Sequence, residues 1–176
     1  MQLKRKREGR TDYKRRLRLL LSNKPRLVIR KSLTKLTSQV IEYSKQGDKT
    51  LTSCTSKELE KYGWKGGLKN TPSAYLTGLI IGKKALENGI KEVIPDIGFY
   101  TPNKGAIVFA FLKGAKDTGL KISINGVVLP EDSRIKGEHI ASYSKLNSTQ
   151  FKNYKMSPEG LPKHFEEIKL KISGKK

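Results

Sequence analysis

Residues Arg26 to Thr55 read RLVIRKSLTKLTSQVIEYSKQGDKTLTSCT. Three strand-like runs lie within them. Arg26 to Lys31 alternates apolar and basic side chains, Leu36 to Tyr43 follows a short turn at Ser32 to Lys35, and Lys49 to Thr55 follows a turn at Gln46, Gly47 and Asp48. Connections this short imply antiparallel neighbours, so the stretch predicts a meander. In the first run Leu27 and Ile29 share one face, and Arg26, Val28 and Arg30 the other. One face is suited to a core and the other carries cations.

The chain before this stretch is basic. Leu3 to Lys31 holds thirteen lysines and arginines against Glu8 and Asp12, a net +11 out of a total of +21. Charges this dense repel one another unless a polyanion neutralises them, and nucleic acid is the commonest such partner. Met1 to Arg10 has almost no apolar content and reads as an arm that is disordered alone and orders on its partner. Thr11 is the expected cap of a helix starting at Asp12. There Tyr13, Leu17, Leu20 and Leu21 form a stripe expected to dock on the core, with Lys14, Arg15 and Arg18 facing out. Beyond the arm, Ser32 to Tyr143 is nearly balanced in charge and Ser144 to Lys176 is a moderately basic tail.

After the meander, Ser56 to Tyr62 reads as a short helix capped by Ser56. The loop Gly63-Trp64-Lys65-Gly66-Gly67-Leu68-Lys69-Asn70 follows. Thr71 then caps a helix with Pro72 at its first position, running to about Asn88 before Gly89 stops it. Ala74, Gly78 and Gly82 recur every four residues. A helical glycine costs about 1 kcal/mol relative to alanine, so this face is expected to lie very close to the sheet. Lys91 to Ile97 reads as a buried strand, with Pro95 suggesting an edge or an irregular end. Ala106 to Asp117 reads as a helix, Ile122 to Pro130 as an extended crossing, and Glu131 to Tyr143 as holding a short helix around His139. Leu146 to Tyr154 and Pro158 to Ile172 are helical patches too poor in apolar surface to fold alone, expected to lie against another molecule. The predicted fold class is α/β, α+β-like. An antiparallel meander plus a further strand packs on two longer helices, with a basic N-terminal arm and a helical C-terminal extension. The expected divisions are 1–24, arm and helix; 25–143, core domain; and 144–176, extension.

With 176 residues the chain suits one domain with arms. Cys54 is the single cysteine, which excludes an intrachain disulfide. No apolar run nears the roughly 20 residues of a membrane span, and no apolar h-region follows the basic start. A soluble, cytoplasmic chain or a component of a complex is expected. Catalytic patterns are lacking. GLIIGKK, Gly78 to Lys84, has the wrong spacing for a phosphate loop and no Ser or Thr after the lysine. Nothing brings Cys54 and His139 together as nucleophile and base. Two histidines and one cysteine do not build a conventional structural zinc site. No enzyme activity, cofactor, metal or small-molecule substrate is therefore expected. Arginine forks suit phosphates and stack on bases. At the Trp64 loop two readings stand. Either Trp64 stacks on a base beside Lys65 and Lys69, or it plugs the core and the glycines only permit the turn.

The sequence also resembles a known family. Lys6-Arg7-Glu8-Gly9-Arg10-Thr11-Asp12-Tyr13, Arg15-Arg16-Leu17-Arg18-Leu19-Leu20 and Lys24-Pro25-Arg26-Leu27-Val28-Ile29-Arg30-Lys31-Ser32 resemble the 5S-rRNA-binding family of large-subunit ribosomal proteins, in the archaeal-type form numbered eighteen. The likeness recurs at Tyr62-Gly63-Trp64-Lys65-Gly66-Gly67, at Asn70 to Gly78, at Asp96-Ile97-Gly98, and at Gly137-Glu138-His139-Ile140-Ala141. It runs to about Tyr143; the tail matches only in character. The resemblance implies a structural constituent of the large subunit that holds 5S rRNA in the central protuberance. It would tie that RNA to the 23S-type large-subunit rRNA and to neighbouring ribosomal proteins, in the cytoplasm. RNA contact is then expected at Lys4, Arg5, Lys6, Arg7, Arg10, Tyr13, Lys14, Arg15, Arg16, Arg18, Arg26, Arg30 and Lys31. The resemblance also favours the RNA reading of Trp64, Lys65 and Lys69. Ser38 and Gln39 carry over less directly, since Leu33 to Thr37 departs from the family pattern. The alternatives are a non-ribosomal RNA-binding chaperone, or an RNA-modifying enzyme.

Overall fold

The computed structural model describes residues 4–9, 11–146, 151 and 155–174. Two helices, α1 (Lys4–Arg7) and α2 (Tyr13–Leu20), precede the meander of β1 (Arg26–Lys31), β2 (Leu36–Glu42) and β3 (Lys49–Thr55). After helix α3 (Thr71–Glu87) come β4 (Glu92–Asp96), helix α4 (Ile107–Asp117) and the two-residue β5 (Lys121–Ile122). The sheet is mixed, in the order β3-β2-β1-β4-β5. The short turns make β1 and β2 antiparallel, with Leu27 opposite Val40 and Ile29 opposite Ser38. The long crossover through α3 makes β4 parallel to β1, with Val28 opposite Asp96. The α/β architecture read from the sequence is the one observed.

Pro95 does not mark an edge, because β4 lies between β1 and β5. The Ile94 N–H donates to Pro25 O at 2.9 Å on the β1 side, so the next nitrogen, that of Pro95, faces the β5 side. There β5 has already ended, with Ile122 opposite Val93. No ladder donor is lost.

The helix glycines close on a helix rather than on the sheet. A Cβ at Gly78 would stand 2.1 Å from Phe111 O, and one at Gly114 would stand 2.1 Å from Tyr75 O. Each glycine thus admits the backbone of the other helix, so α3 and α4 meet main chain to main chain beneath the sheet. Leu27, Ile29, Leu36, Val40, Leu76, Ile81, Phe111 and Leu112 fill the core between these layers.

Local boundaries differ from the sequence reading in instructive ways. Ser56–Tyr62 is a 3-10 helix preceded by Thr55, whose N–H donates to the Glu58 carboxylate at 3.0 Å, so Ser56 is not the cap. Asn70, not Thr71, caps α3, its side chain accepting from Ser73 N–H at 2.9 Å. The segment around His139 is two helices, α5 (Asp132–Lys136) and α6 (Glu138–Leu146), broken at Gly137 with φ +85°. The larger departure is the tail. Helix α7 (Leu161–Ser173) buries Leu161, Phe165, Ile168 and Ile172 against this chain's own α3, α5, α6 and 3-10 helix. Those residues, spaced four, three and four apart, make one stripe, and the core supplies the apolar surface the segment lacks. Most of the patch expected from Leu146 to Tyr154 lies outside the described residues.

Candidate nucleic-acid interface

The basic segment arrives as two pieces. Lys4, Arg5, Lys6 and Arg7 form one exposed helical turn rather than irregular chain. Arg10 lies outside the described residues. Asp12, not Thr11, caps α2, its Oδ1 accepting from Arg15 N–H at 3.0 Å. The leucine stripe does not dock as expected: Leu17 and Leu21 are 62% and 74% exposed. Tyr13, Arg16, Leu19 and Leu20 are the half-buried positions. Arginines hold the helix instead. Arg15 Nη1 donates to Gly98 O at 2.5 Å, and Arg16 Nη2 donates to both Asp48 oxygens at 2.8 Å. Lys14 and Arg18 face out.

Arg16 belongs to a longer chain of charges. Asp48 also accepts from Arg26 Nη2 at 2.7 Å, and Arg26 Nη1 donates to Asp96 at 3.1 Å. Asp96 accepts in turn from Arg30 Nη2 at 3.2 Å and from Gly98 N–H at 3.0 Å. Arg16, Asp48, Arg26, Asp96 and Arg30 therefore alternate in sign across the outward sheet face. Arg26 sits in the middle, only 4% exposed. The strand alternation placed it correctly on the outward face, but α2 and two carboxylates cover it. Arg30 is half exposed and bends back, its Nη1 donating to Asp96 O at 2.8 Å. Gly98 makes that bend possible: it has φ +64°, and a Cβ there would lie 3.0 Å from the Arg30 guanidinium carbon. Lys31 stays exposed, its Nζ 5.5 Å from the centre of the Tyr100 ring.

Between α2 and the outward sheet face opens a cleft of about 630 Å³, lined by Arg5, Arg15, Arg16, Arg26 and Arg30 together with Gln39, Phe99 and Tyr100. Phe99 is 64% exposed. Sequence reasoning missed Phe99, Tyr100 and the two organising aspartates. The available signals were Asp48 in a turn beside a cationic strand and the Asp96-Ile97-Gly98 motif.

The Trp64 loop resolves toward the core. Trp64 is 4% exposed, its Nε1–H donates to Gly67 O at 3.2 Å, and its ring stacks on His164 of α7 at 5.2 Å. A Cβ at Gly66 would lie 2.6 Å from the indole, so the loop needs glycine to wrap it. The expected base-stacking platform is thus occupied by the chain's own tail, with Lys65 N–H donating to His164 Nε2 at 3.2 Å. Lys65 remains exposed and Lys69 half-buried. Elsewhere, burial and the nearby Glu58 carboxylate push the Cys54 thiol up to about 12, which keeps it an unreactive thiol. Burial and Arg134 hold His139 below the ordinary histidine value. Among the described residues no three His, Cys, Asp or Glu side chains gather as metal ligands, and no helix is long and apolar enough to cross a membrane.

The family model described as ribosomal large subunit proteins 60S L5 and 50S L18 matches residues 1–94. The matched part covers the basic segment, the meander, the Trp64 loop, α3 and most of β4.

Proposed function

Since the chain belongs to the family of ribosomal large subunit proteins 60S L5 and 50S L18, a structural role in that subunit follows, and we propose that it binds 5S rRNA there. In this reading it ties 5S rRNA to the 23S-type rRNA in the central protuberance, beside neighbouring ribosomal proteins and in the cytoplasm, and it carries out no catalysis.

The observation that carries the proposal is the arrangement of the basic segment. The cations of α1, with Lys14 and Arg18 of α2, are exposed, while Arg15 and Arg16 fasten their helix to the body. Exposed cations on a fixed helix can meet successive phosphates without first being ordered, which lowers the cost of association. Arginine is suited to this because its fork binds phosphate oxygens in pairs.

The test is co-purification. Tagged protein isolated from cells under native conditions should carry 5S rRNA in a one-to-one ratio; recovery with messenger or transfer RNA in its place would overturn the proposal.

A further inference from the structure

We propose that Asn125-Gly126 is a self-modifying site, at which Asn125 loses ammonia through a cyclic imide and becomes aspartate or isoaspartate. This chemistry is independent of RNA binding. The Gly126 nitrogen gives its proton to hydroxide and attacks Cγ of Asn125. A Cγ–N bond forms, the Cγ–Nδ2 bond breaks, and ammonia leaves with a proton taken from water, which restores the hydroxide. Water then opens the imide at either carbonyl.

The chain has two Asn-Gly steps, Asn88-Gly89 and Asn125-Gly126. In both, glycine leaves the attacking nitrogen unshielded by a Cβ. All four residues are exposed, so exposure does not separate the two steps. Their hydrogen bonds do. Asn88 closes α3, where Gly89 N–H donates to Leu86 O and Ile90 N–H to Ala85 O, both at 2.9 Å, with Gly89 at φ +74°. That helix end engages the nitrogen that would attack, and it has to come apart first. Gly126 N–H has no hydrogen-bond partner among the described residues. Asn125 Oδ1 instead accepts from Val127 N–H at 3.1 Å. This closes a turn that contains both Cγ and the Gly126 nitrogen, and it polarises the carbonyl toward attack. Asn125 and Arg15 line one slot of about 220 Å³. The new carboxylate therefore forms in the slot of an arginine that fastens α2, and it lowers the net charge of +21 by one.

The experiment ages the full chain in warm, mildly alkaline buffer, both native and unfolded in urea. Peptide mass spectrometry then follows the mass gain of amide turning to acid at each step. Native Asn125 should convert about tenfold faster than native Asn88, because a hydrogen-bonded helix end opens at a free-energy cost that an exposed loop does not carry. In urea the two should convert at similar rates. Gly126→Ala should suppress conversion at Asn125 and leave Asn88 unchanged. That variant should fold, since a Cβ at Gly126 meets no atom within 4 Å and its φ is not positive. A native Asn125 that converts no faster than Asn88 overturns the proposal, as does a Gly126→Ala chain that converts as fast as wild type. The same gap between the two steps in urea would also overturn it, by placing the difference in local sequence rather than in the fold.

Discussion

Arg26 shows how the face of one position can be read without its surroundings: it lies buried between two carboxylates. Period-two alternation assigned it to the outward side of β1, where it is. The alternation carried no information about what lies over that side, because Asp48 and Asp96 reach it from other parts of the chain. Removing one partner of a buried charge set leaves the others uncompensated. Arg26→Met should therefore destabilise the fold by about 3 kcal/mol, measured by urea denaturation. Arg30→Met, with its side chain half exposed, should cost under about 1 kcal/mol. Glu58 offers a second test. Burial pushes its carboxyl up, but the Lys84 ammonium at 2.7 Å and the Thr55 N–H outweigh this and hold it below the ordinary 4.5. The folded carboxyl thus releases its proton more readily than the unfolded one. Its stabilisation is complete above the ordinary value and is lost as pH falls through the folded one. The melting temperature of wild type should drop more steeply below pH 4.5 than that of Glu58→Gln.

The elements were legible to different depths. The meander was readable almost to the residue, since short turns leave few pairings open. Helix α3 was readable from its proline and terminal glycine, but not the identity of its neighbour. A glycine row signals a close approach without naming what approaches, and here it is the backbone of α4. Gly78→Ala tests this. Alanine favours a helix by about 1 kcal/mol over glycine, yet its Cβ collides with Phe111 O. We expect a net destabilisation of about 2 kcal/mol in chemical denaturation, and a gain in stability would contradict the backbone contact. Helix α7 was underread for the opposite reason. Its apolar stripe is too thin to stand alone, and the sequence does not reveal that Trp64 and α3 wait to receive it.

The molecule as a whole divides its charge by depth. Its core is closed by ordinary apolar packing, including its own tail. The exposed cations of the N-terminal segment rest on the outward sheet face through arginine–carboxylate contacts rather than leucines. Deleting residues 1–24 removes the Arg16 contact but leaves Asp48 paired with Arg26. The remaining chain should still unfold cooperatively, its helical circular dichroism reduced only by the loss of α1 and α2, and should lose its RNA affinity. The most direct test of the central claim is a filter-binding series of the full chain against 5S rRNA and an unrelated RNA of equal length at rising salt. We predict tighter binding to 5S rRNA throughout, with an affinity that falls linearly in log–log form with a slope fitting about 6–10 phosphate contacts. Binding to 5S rRNA no tighter than to the unrelated RNA would contradict the account.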